Sequence, residues 1–410
     1  MKNNTLRTVL FIFVAVILVV GAFGGGFITG NFINVLKPTP LSTLPATTST
    51  SQDGTPADLQ SQFATFWQAW DLVHQYYVDQ PVDNTKLIQG AISGMINALG
   101  DPHSGYWTPQ ETTDANTAMA GSYDGIGAYV DTTGAYLTIT KALSGYPAEK
   151  AGLQVGDQII AVDGTDVTGM DPDLVRMTKV MGPAGTSVQL TIRRTGVDNP
   201  LEFTIMRAHI VIPSVTSKML DHNIAYIQIT VFGDTTASDF QTQLSALMAQ
   251  KPSGIILDLR DNGGGYLDAG IAVASQFIDH GVIVSEQYGD GTKTPHEALS
   301  SGLATNIPLV VLVNENTASA SEIVSGAIQD DGRGKLVGVT TYGKGSVQNW
   351  IPLSDGGTAR ITIARWLTPN GRTIDKKGLT PDKVVTMTQA DYTAGRDPQL
   401  DAAVQLLINP

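Results

Sequence analysis

The chain has 410 residues, two or three domains at roughly 150 residues each. Its 42% apolar and 15% charged residues exclude a disordered chain, and a single apolar run long enough to span a bilayer excludes a polytopic membrane protein. There is no cysteine, hence no disulfide framework, thiolate metal site or cysteine nucleophile; net charge is −13, and the 22 basic and 37 acidic residues beyond residue 57 leave that body at −15, without the basic footprint of a nucleic-acid binder.

Val9 to Ile33 carries no charge over 25 residues. At about 1.5 Å per residue it reaches about 37 Å, enough for a hydrocarbon core of about 30 Å. Lys2 and Arg7 precede it, so the expected arrangement is a single-pass anchor over residues 1–35, with the N-terminus cytoplasmic and the body extracytoplasmic. Val9 to Phe23 followed by Gly24-Gly25-Gly26 also reads as a signal peptide. Phe27, Ile28, Phe32 and Ile33 continue the apolar run past any small-residue site, which favours the uncleaved anchor. Residues 36–57 are rich in Pro, Thr and Ser and read as a flexible stalk.

Residues 58–118 read as a helical cap. Phe66, Trp67, Trp70, Val73, Tyr76 and Tyr77 recur at helical spacing up to Pro81, and a second helix runs from Thr85 to Leu99 before Gly100-Asp101-Pro102. In 119–209 the pattern turns to alternation. Leu137 and Ile139, then Val188, Leu190 and Ile192, then Leu201, Phe203 and Ile205 mark half-buried strands, with short helices near Pro147–Ala151 and 171–181. Gly125-Ile126-Gly127-Ala128 opens this module, and Gly156-Asp157-Gln158-Ile159-Ile160 followed by Asp163-Gly164 lies in its middle. The order resembles a PDZ domain. Successive N–H groups of a glycine loop accept a peptide's terminal carboxylate, and the adjacent strand edge adds the peptide as a further strand. Residues 210–410 alternate strand and helix as an α/β core: strands at 225–230, 254–259, 308–313, 335–339 and 358–363, helices at 267–278 and 322–329.

Thr317-Ala318-Ser319-Ala320-Ser321-Glu322 follows a buried strand and opens a helix. A serine there meets unpaired N–H groups and the positive end of the helix dipole, which favour an alkoxide and an oxyanion. The same residues also read as a capping box. Gly343-Lys344-Gly345-Ser346-Val347-Gln348 lies 25 residues on, after one helix and one strand, a spacing that returns Lys344 beside the helix start. Lysine serves as a base only when neutral. Bringing it from about 10.4 to about 7 takes about 4–5 kcal/mol of disfavoured charge, which burial supplies. Gln348 would orient the amine without stabilising its protonated form. Asp258-Leu259-Arg260-Asp261-Asn262-Gly263-Gly264-Gly265, between strand and helix, frees N–H groups for an oxyanion. Gly338 to Lys344 approximates a phosphate loop, but Gly345 stands where Ser or Thr is needed. The six histidines (74, 103, 209, 222, 280, 296) form no recognisable triad and no zinc pair.

From about residue 60 onward the chain resembles the C-terminal processing, or tail-specific, proteases, serine peptidases with a Ser–Lys dyad. The resemblance rests on Leu99-Gly100-Asp101-Pro102, the PDZ module, the segments just quoted, Gln329-Asp330, Leu367-Thr368-Pro369, Gly378-Leu379-Thr380-Pro381-Asp382 and Asp397-Pro398-Gln399-Leu400. It implies Ser319 as nucleophile, Lys344 as base and Gln348 as its partner. The oxyanion hole would be Ala320 N–H with one from Gly264 or Gly265, and Asp330 would support the site. It also implies a crotonase-like core with an inserted PDZ gate and no metal or cofactor. Thr317, Met181 and His103 depart from the family's commoner residues. The expected function is an endopeptidase that captures apolar C-terminal tails at Gly125–Ala128 and cleaves through an acyl-enzyme. A PDZ scaffold that binds C-termini without cleaving them and a Ser–His hydrolase of small esters remain open, as does homo-oligomerisation.

Overall fold

The computed structural model describes residues 59–300 and 302–409. The expected anchor and stalk lie outside these residues. Among the described residues no helix is long and apolar enough to cross a membrane. The chain separates into two compact units at residues 84 and 85. In the first, the helix Gln60–Tyr76 appears where the aromatic spacing predicts it, and none of its residues is buried. Phe66 and Trp67 pack edge to face along it.

The second unit holds the sheets. The main one has six strands in the order Val215–Leu220, Ile224–Ile229, Gly254–Asp258, Leu309–Val313, Lys335–Gly338 and Lys383–Val384. The first pair is antiparallel and the rest are parallel. Gly254–Asp258 and Leu309–Val313 are buried throughout, which is why they read as unbroken apolar runs. Their side chains alternate between two layers. Ile255, Leu257, Val311 and Val313 face Phe240, Leu244, Phe277 and Val324 on one side. Ile256, Val310 and Leu312 share the other with Ala403 of the C-terminal helix Pro398–Ile408.

A second, antiparallel sheet joins Gly105–Trp107, Thr358–Leu367, Val282–Tyr288 and Lys293–Glu297, with Ser346–Pro352 hairpinned onto Thr358–Leu367. The helix Asn84–Asn97 packs Ile92 and Ile96 against Tyr106, Ala359 and Ile361 of this sheet. The PDZ strands run Ala128–Asp131, Thr138–Ala142, Gln158–Val162, Ser187–Arg193 and Leu201–Met206 in spatial sequence around their own core of Ile139, Ile159, Leu190 and Ile205. A two-stranded pair, Ser122–Gly125 with Ala208–Val211, closes the module where the chain enters and leaves it.

Several predicted boundaries move. The helix expected over 171–181 is an α turn, Pro172–Val175, continued by a wider π turn, Arg176–Val180. The helix expected to Ile278 ends at Ala274, and the strand expected to stop at residue 363 runs to Leu367. The region expected as a helical cap also contains a strand, Gly105–Trp107, because Gly100 at positive φ turns the chain back toward the antiparallel sheet.

Candidate active site

The main sheet delivers the serine. The strand Leu309–Val313 ends at Asn314, and the helix Ala320–Asp330 starts six residues on, with Ser319 as its N-cap. Ser319 adopts φ 57° and ψ −119°, a conformation disfavoured for any residue with a Cβ. Buried bonds around it hold it there. Thr317 Oγ1 donates to Leu259 O at 2.9 Å, Ser321 Oγ donates to Asn262 O at 2.9 Å, and Ser319 N–H donates to Glu322 at 3.0 Å. Glu322 thus forms the carboxylate half of the predicted capping box.

The hairpin delivers the lysine. Lys344 lies two residues before the strand Ser346–Pro352, and Trp366 Nε1 donates to its carbonyl at 2.8 Å. Trp366 is itself buried in the main core. Glu322 completes the junction. Its carboxylate is fully buried and accepts from Thr341 Oγ1 at 2.5 Å, Gly343 N–H at 2.7 Å and Lys344 N–H at 2.9 Å, besides Ser319 N–H. One carboxylate therefore ties the serine turn to the lysine loop. Burial pushes the Glu322 carboxyl up, opposed by these four donors.

Ser319, Ala320, Gly264, Gly265, Lys344 and Gln348 line a single cavity of 540 Å³. Met119, Val231, Tyr266, Leu267, Ile323 and Trp350 make much of it apolar, and no histidine lines it. The Lys344 amine is held below its ordinary 10.5, first by burial and then by the charge of Arg360, partly offset by Glu322 and Asp101. Arg360 lies 4.1 Å from the Trp107 ring. His103 sits outside the cavity wall, and burial and the Lys344 charge both push its imidazole down.

The glycine loop separates the two oxyanion alternatives. A Cβ on Gly264 would lie 2.6 Å from Ser319 Cβ, so only glycine lets this loop approach the serine. Its N–H, however, donates to the buried Asn262 Oδ1 at 2.9 Å. Gly265 forms a parallel bridge with Phe232, in which the bonds are Phe232 N–H to Gly264 O and Tyr266 N–H to Phe232 O. In that pattern the Gly265 N–H points to the opposite side. Ala320 is the first helical residue, where an N–H has no acceptor within the helix.

Asp330 does not reach the cavity. It lies at the far end of the same helix, about 16 Å along the axis from Ser319. There it pairs with Arg372 and accepts from Asn370 N–H at 2.9 Å, which anchors the turn at 368–372. Arg260 is also outside the cavity. It joins Asp258 at 2.6 Å and Asp397 at 2.9 Å, bracing the strand end beneath the glycine loop.

The PDZ loop borders a second cavity of 590 Å³, lined by Ile126, Ala128, Val130, Val180 and Met181 among others. Gly125 ends the strand Ser122–Gly125, and Gly127 takes φ 78° against Tyr146. Ala128–Asp131 pairs with only one neighbour in its sheet, so its other edge faces this groove. The Tyr123 ring folds over Gly125. Val231 lines both cavities. The helix Pro109–Ala120 lies between them, presenting Met119 to the first and Thr117 and Ala118 to the second.

The sequence alone pointed to the serine, lysine and glutamine. It missed the wider reach of Glu322, whose other partners lie 19 to 22 residues away, and the roles of Asn262 and Trp366, for which no local signal exists.

Residues 223–385 match the family model for peptidase family S41, residues 138–194 the PDZ domain, and residues 18–112 the N-terminal domain of the activating protease CtpB. The chain is 38% identical over 343 residues to the carboxy-terminal processing protease CtpA of Bacillus subtilis (strain 168), covering 83% of this chain and 72% of that one. It is 36% identical over 344 residues to the carboxy-terminal-processing protease of Bartonella bacilliformis, covering 83% and 78%. Among solved structures, a putative S41 protease from Bacteroides fragilis shares the fold, with a TM-score of 0.51 at 16% identity over 82% of this chain and 96% of that one.

Proposed function

The chain belongs to the carboxy-terminal processing proteases of peptidase family S41, a serine-type peptidase family, and on that premise we propose that Ser319 is its nucleophile and Lys344 its general base. The observation that carries this reading is the shared carboxylate: Glu322 accepts from the N–H of both residues, 3.0 Å and 2.9 Å away, at the edge of the cavity both line. Burial and Arg360 favour the neutral amine that a base requires.

In the proposed reaction Ser319 Oγ attacks the scissile carbonyl and passes its proton to Lys344 Nζ. The oxyanion forms against the N–H groups of Ala320 and Gly265, since that of Gly264 is already bonded. Lys344 then protonates the leaving amine, giving an acyl-enzyme. It next takes a proton from the water that attacks the ester, and Ser319 is regenerated. Gln348 offers its carboxamide oxygen to the amine. An apolar C-terminal tail lies in the PDZ groove, as an added strand on Ala128–Asp131, and its upstream segment enters the catalytic cavity past Val231. The reading extends to a crotonase-like core under a helical cap, and to an extracytoplasmic body held by the uncharged run Val9–Ile33.

The test is cleavage of an apolar-tailed protein by the wild type, Ser319→Ala and Lys344→Ala. Both variants should lose activity while still binding the tail. Undiminished cleavage by either refutes the dyad, and tail binding without cleavage by the wild type indicates a scaffold. Protease accessibility of the body in intact cells tests its location.

A further inference from the structure

The turn at 100–104 closes the back of the lysine hairpin, and its bonds lead to Gln348. Asp101 accepts from Thr362 Oγ1 at 2.5 Å, from Ser104 Oγ at 2.7 Å and from His103 N–H at 3.1 Å. Ser104 Oγ accepts in turn from Thr362 N–H at 3.0 Å. Thr362 stands directly opposite Gln348 in the hairpin register, beside a bulge between Val347 and Gln348. The Gln348 carboxamide nitrogen lies 3.1 Å from Thr362 Oγ1 and 2.8 Å from Ser346 Oγ.

The polarity of this chain follows from what each group can do. A carboxylate only accepts, so the Thr362 hydroxyl must give its single proton to Asp101. Its oxygen then has only lone pairs left for Gln348, so the nitrogen end of the carboxamide must face it. With the nitrogen committed to Thr362 and Ser346, the end that remains is the carbonyl oxygen, an acceptor, on a side chain that lines the cavity with Lys344. Asp101 is ionised across the working range. Burial pushes its carboxyl up, but the bonds from Thr362, Ser104 and His103 outweigh that and bring it to about 2.

We propose that Asp101 is a positioning residue for the peptidase reaction: through Thr362 it sets which end of the Gln348 carboxamide faces Lys344. This rests on the Ser–Lys reading above. An amide has nearly the same shape in its two orientations, so the cavity walls alone do not choose between them. An acceptor facing the amine aligns its N–H and leaves its lone pair for Ser319. The reversed amide would set donors against donors.

In Asp101→Asn the new side chain can donate to Thr362 Oγ1, whose proton then turns to the Gln348 oxygen and the amide reverses. The expected result is a fall in kcat of about ten- to a hundredfold, the usual range for groups that orient a functional side chain, with KM unchanged. Thr362→Ser should keep wild-type kcat, and Thr362→Val should lose it to the same extent as Asp101→Asn. Adding Asp101→Asn to Gln348→Ala should cost nothing more. In protein labelled with 15N-glutamine, the Gln348 amide protons should show contacts to Thr362 in the wild type and lose them in Asp101→Asn, a readout that needs no turnover. Wild-type kcat in Asp101→Asn or Thr362→Val, full additivity with Gln348→Ala, or an unchanged amide contact overturns the proposal. Ser319→Ala and Lys344→Ala, assayed alongside, separate the cases. Activity in either sinks the dyad reading, whereas loss in both with full activity in Asp101→Asn sinks only the relay.

Discussion

Glu322→Gln tests whether one carboxylate holds the two halves of the site together. The carboxylate has two oxygens, each with two donors: Thr341 Oγ1 and Gly343 N–H on one, Ser319 N–H and Lys344 N–H on the other. Glutamine keeps one oxygen. The less costly orientation puts its nitrogen toward Thr341, whose hydroxyl can accept from it while still accepting from Leu379 N–H at 2.7 Å. Gly343 N–H is then left facing another donor, a penalty of about 1–3 kcal/mol for an unsatisfied buried group. The bonds from Ser319 and Lys344 also lose their charge assistance and weaken by roughly half. Relief of the buried charge, whose desolvation already pushes the Glu322 carboxyl up, offsets part of this. The net expectation is about 2 kcal/mol, roughly 4–8 °C in Tm for a domain of this size. Activity should fall with it, since Gly343 fixes the path into Lys344. Glu322→Ala should be far worse. Four orphaned donors come to about 4–12 kcal/mol, comparable with the whole stability of a domain. Thermal unfolding followed by near-UV circular dichroism, beside kcat/KM on an apolar-tailed peptide, decides the matter. A Glu322→Gln protein with unchanged Tm and kcat/KM would show that the carboxylate clamps nothing.

Three further outcomes follow from the same geometry. Arg360→Gln removes a positive charge that helps hold Lys344 below its ordinary value, so the acid limb of the kcat/KM profile should move to higher pH; a limb that stays or moves down contradicts the assignment of that limb to Lys344. Lys344→Met should stabilise the fold, because a lysine lowered in the folded state is penalised wherever the unfolded chain would carry its proton. The gain is full below the folded value and fades as pH rises toward 10.5, so chemical denaturation at pH 6 and pH 11 should give a clear gain at the first and none at the second. Gly264→Ala requires φ 101° and puts a methyl 2.6 Å from Ser319 Cβ, so kcat should drop by about a hundredfold or more while a tail peptide binds the PDZ groove as before; a parallel loss of tail binding would point to general unfolding instead.

What the sequence revealed follows from how local each signal was. Val310, Val311 and Leu312 announce a strand covered on both faces, and the alternation of Val188, Leu190 and Ile192 announces one covered on a single face, because the period of the pattern is the geometry itself. Ser319 and Lys344 were visible because each sits in a short segment whose neighbours belong to one turn. Asp101 was visible as a helix stop and as part of a family segment, with no role attached. Its bond to Thr362 spans 261 positions, and nothing in either segment encodes the other. Glu322 misled in a subtler way. Its capping box is real on the carboxylate side, but a local explanation that suffices hides the three partners contributed by the loop between the strands Lys335–Gly338 and Ser346–Pro352. Asp330 shows the opposite failure. The family resemblance implied a supporting role for it, yet a helix of 11 residues carries it well away from the cavity.

The distribution of bonds bears on how recognition reaches chemistry. The elements that carry the proposed dyad come from two sheets, but their junction is buried and heavily bonded: Glu322 joins the serine turn to the lysine loop, and Trp366 fixes the Lys344 carbonyl to the main core. Such a pair is set on rigid elements and has little room to drift. The PDZ module meets the core where the strand pair 122–125 with 208–211 carries the chain in and out, and through the half-exposed ion pair of Arg176 with Asp114 at 3.2 Å. Asp114 stands on the helix Pro109–Ala120, whose C-terminal end is fastened to the core where Asp234 N–H donates to Met119 O at 2.9 Å. That helix touches both cavities, and it is bonded to the PDZ module at its middle through Asp114 and to the core at its C-terminal end through Met119. A rearrangement at the groove therefore has a short mechanical path to the wall of the catalytic cavity at Met119, while the dyad behind it stays fixed. Under the proposed function, access to Ser319 is therefore the quantity that a tail in this groove would alter, and the distance between Ser319 and Lys344 is not.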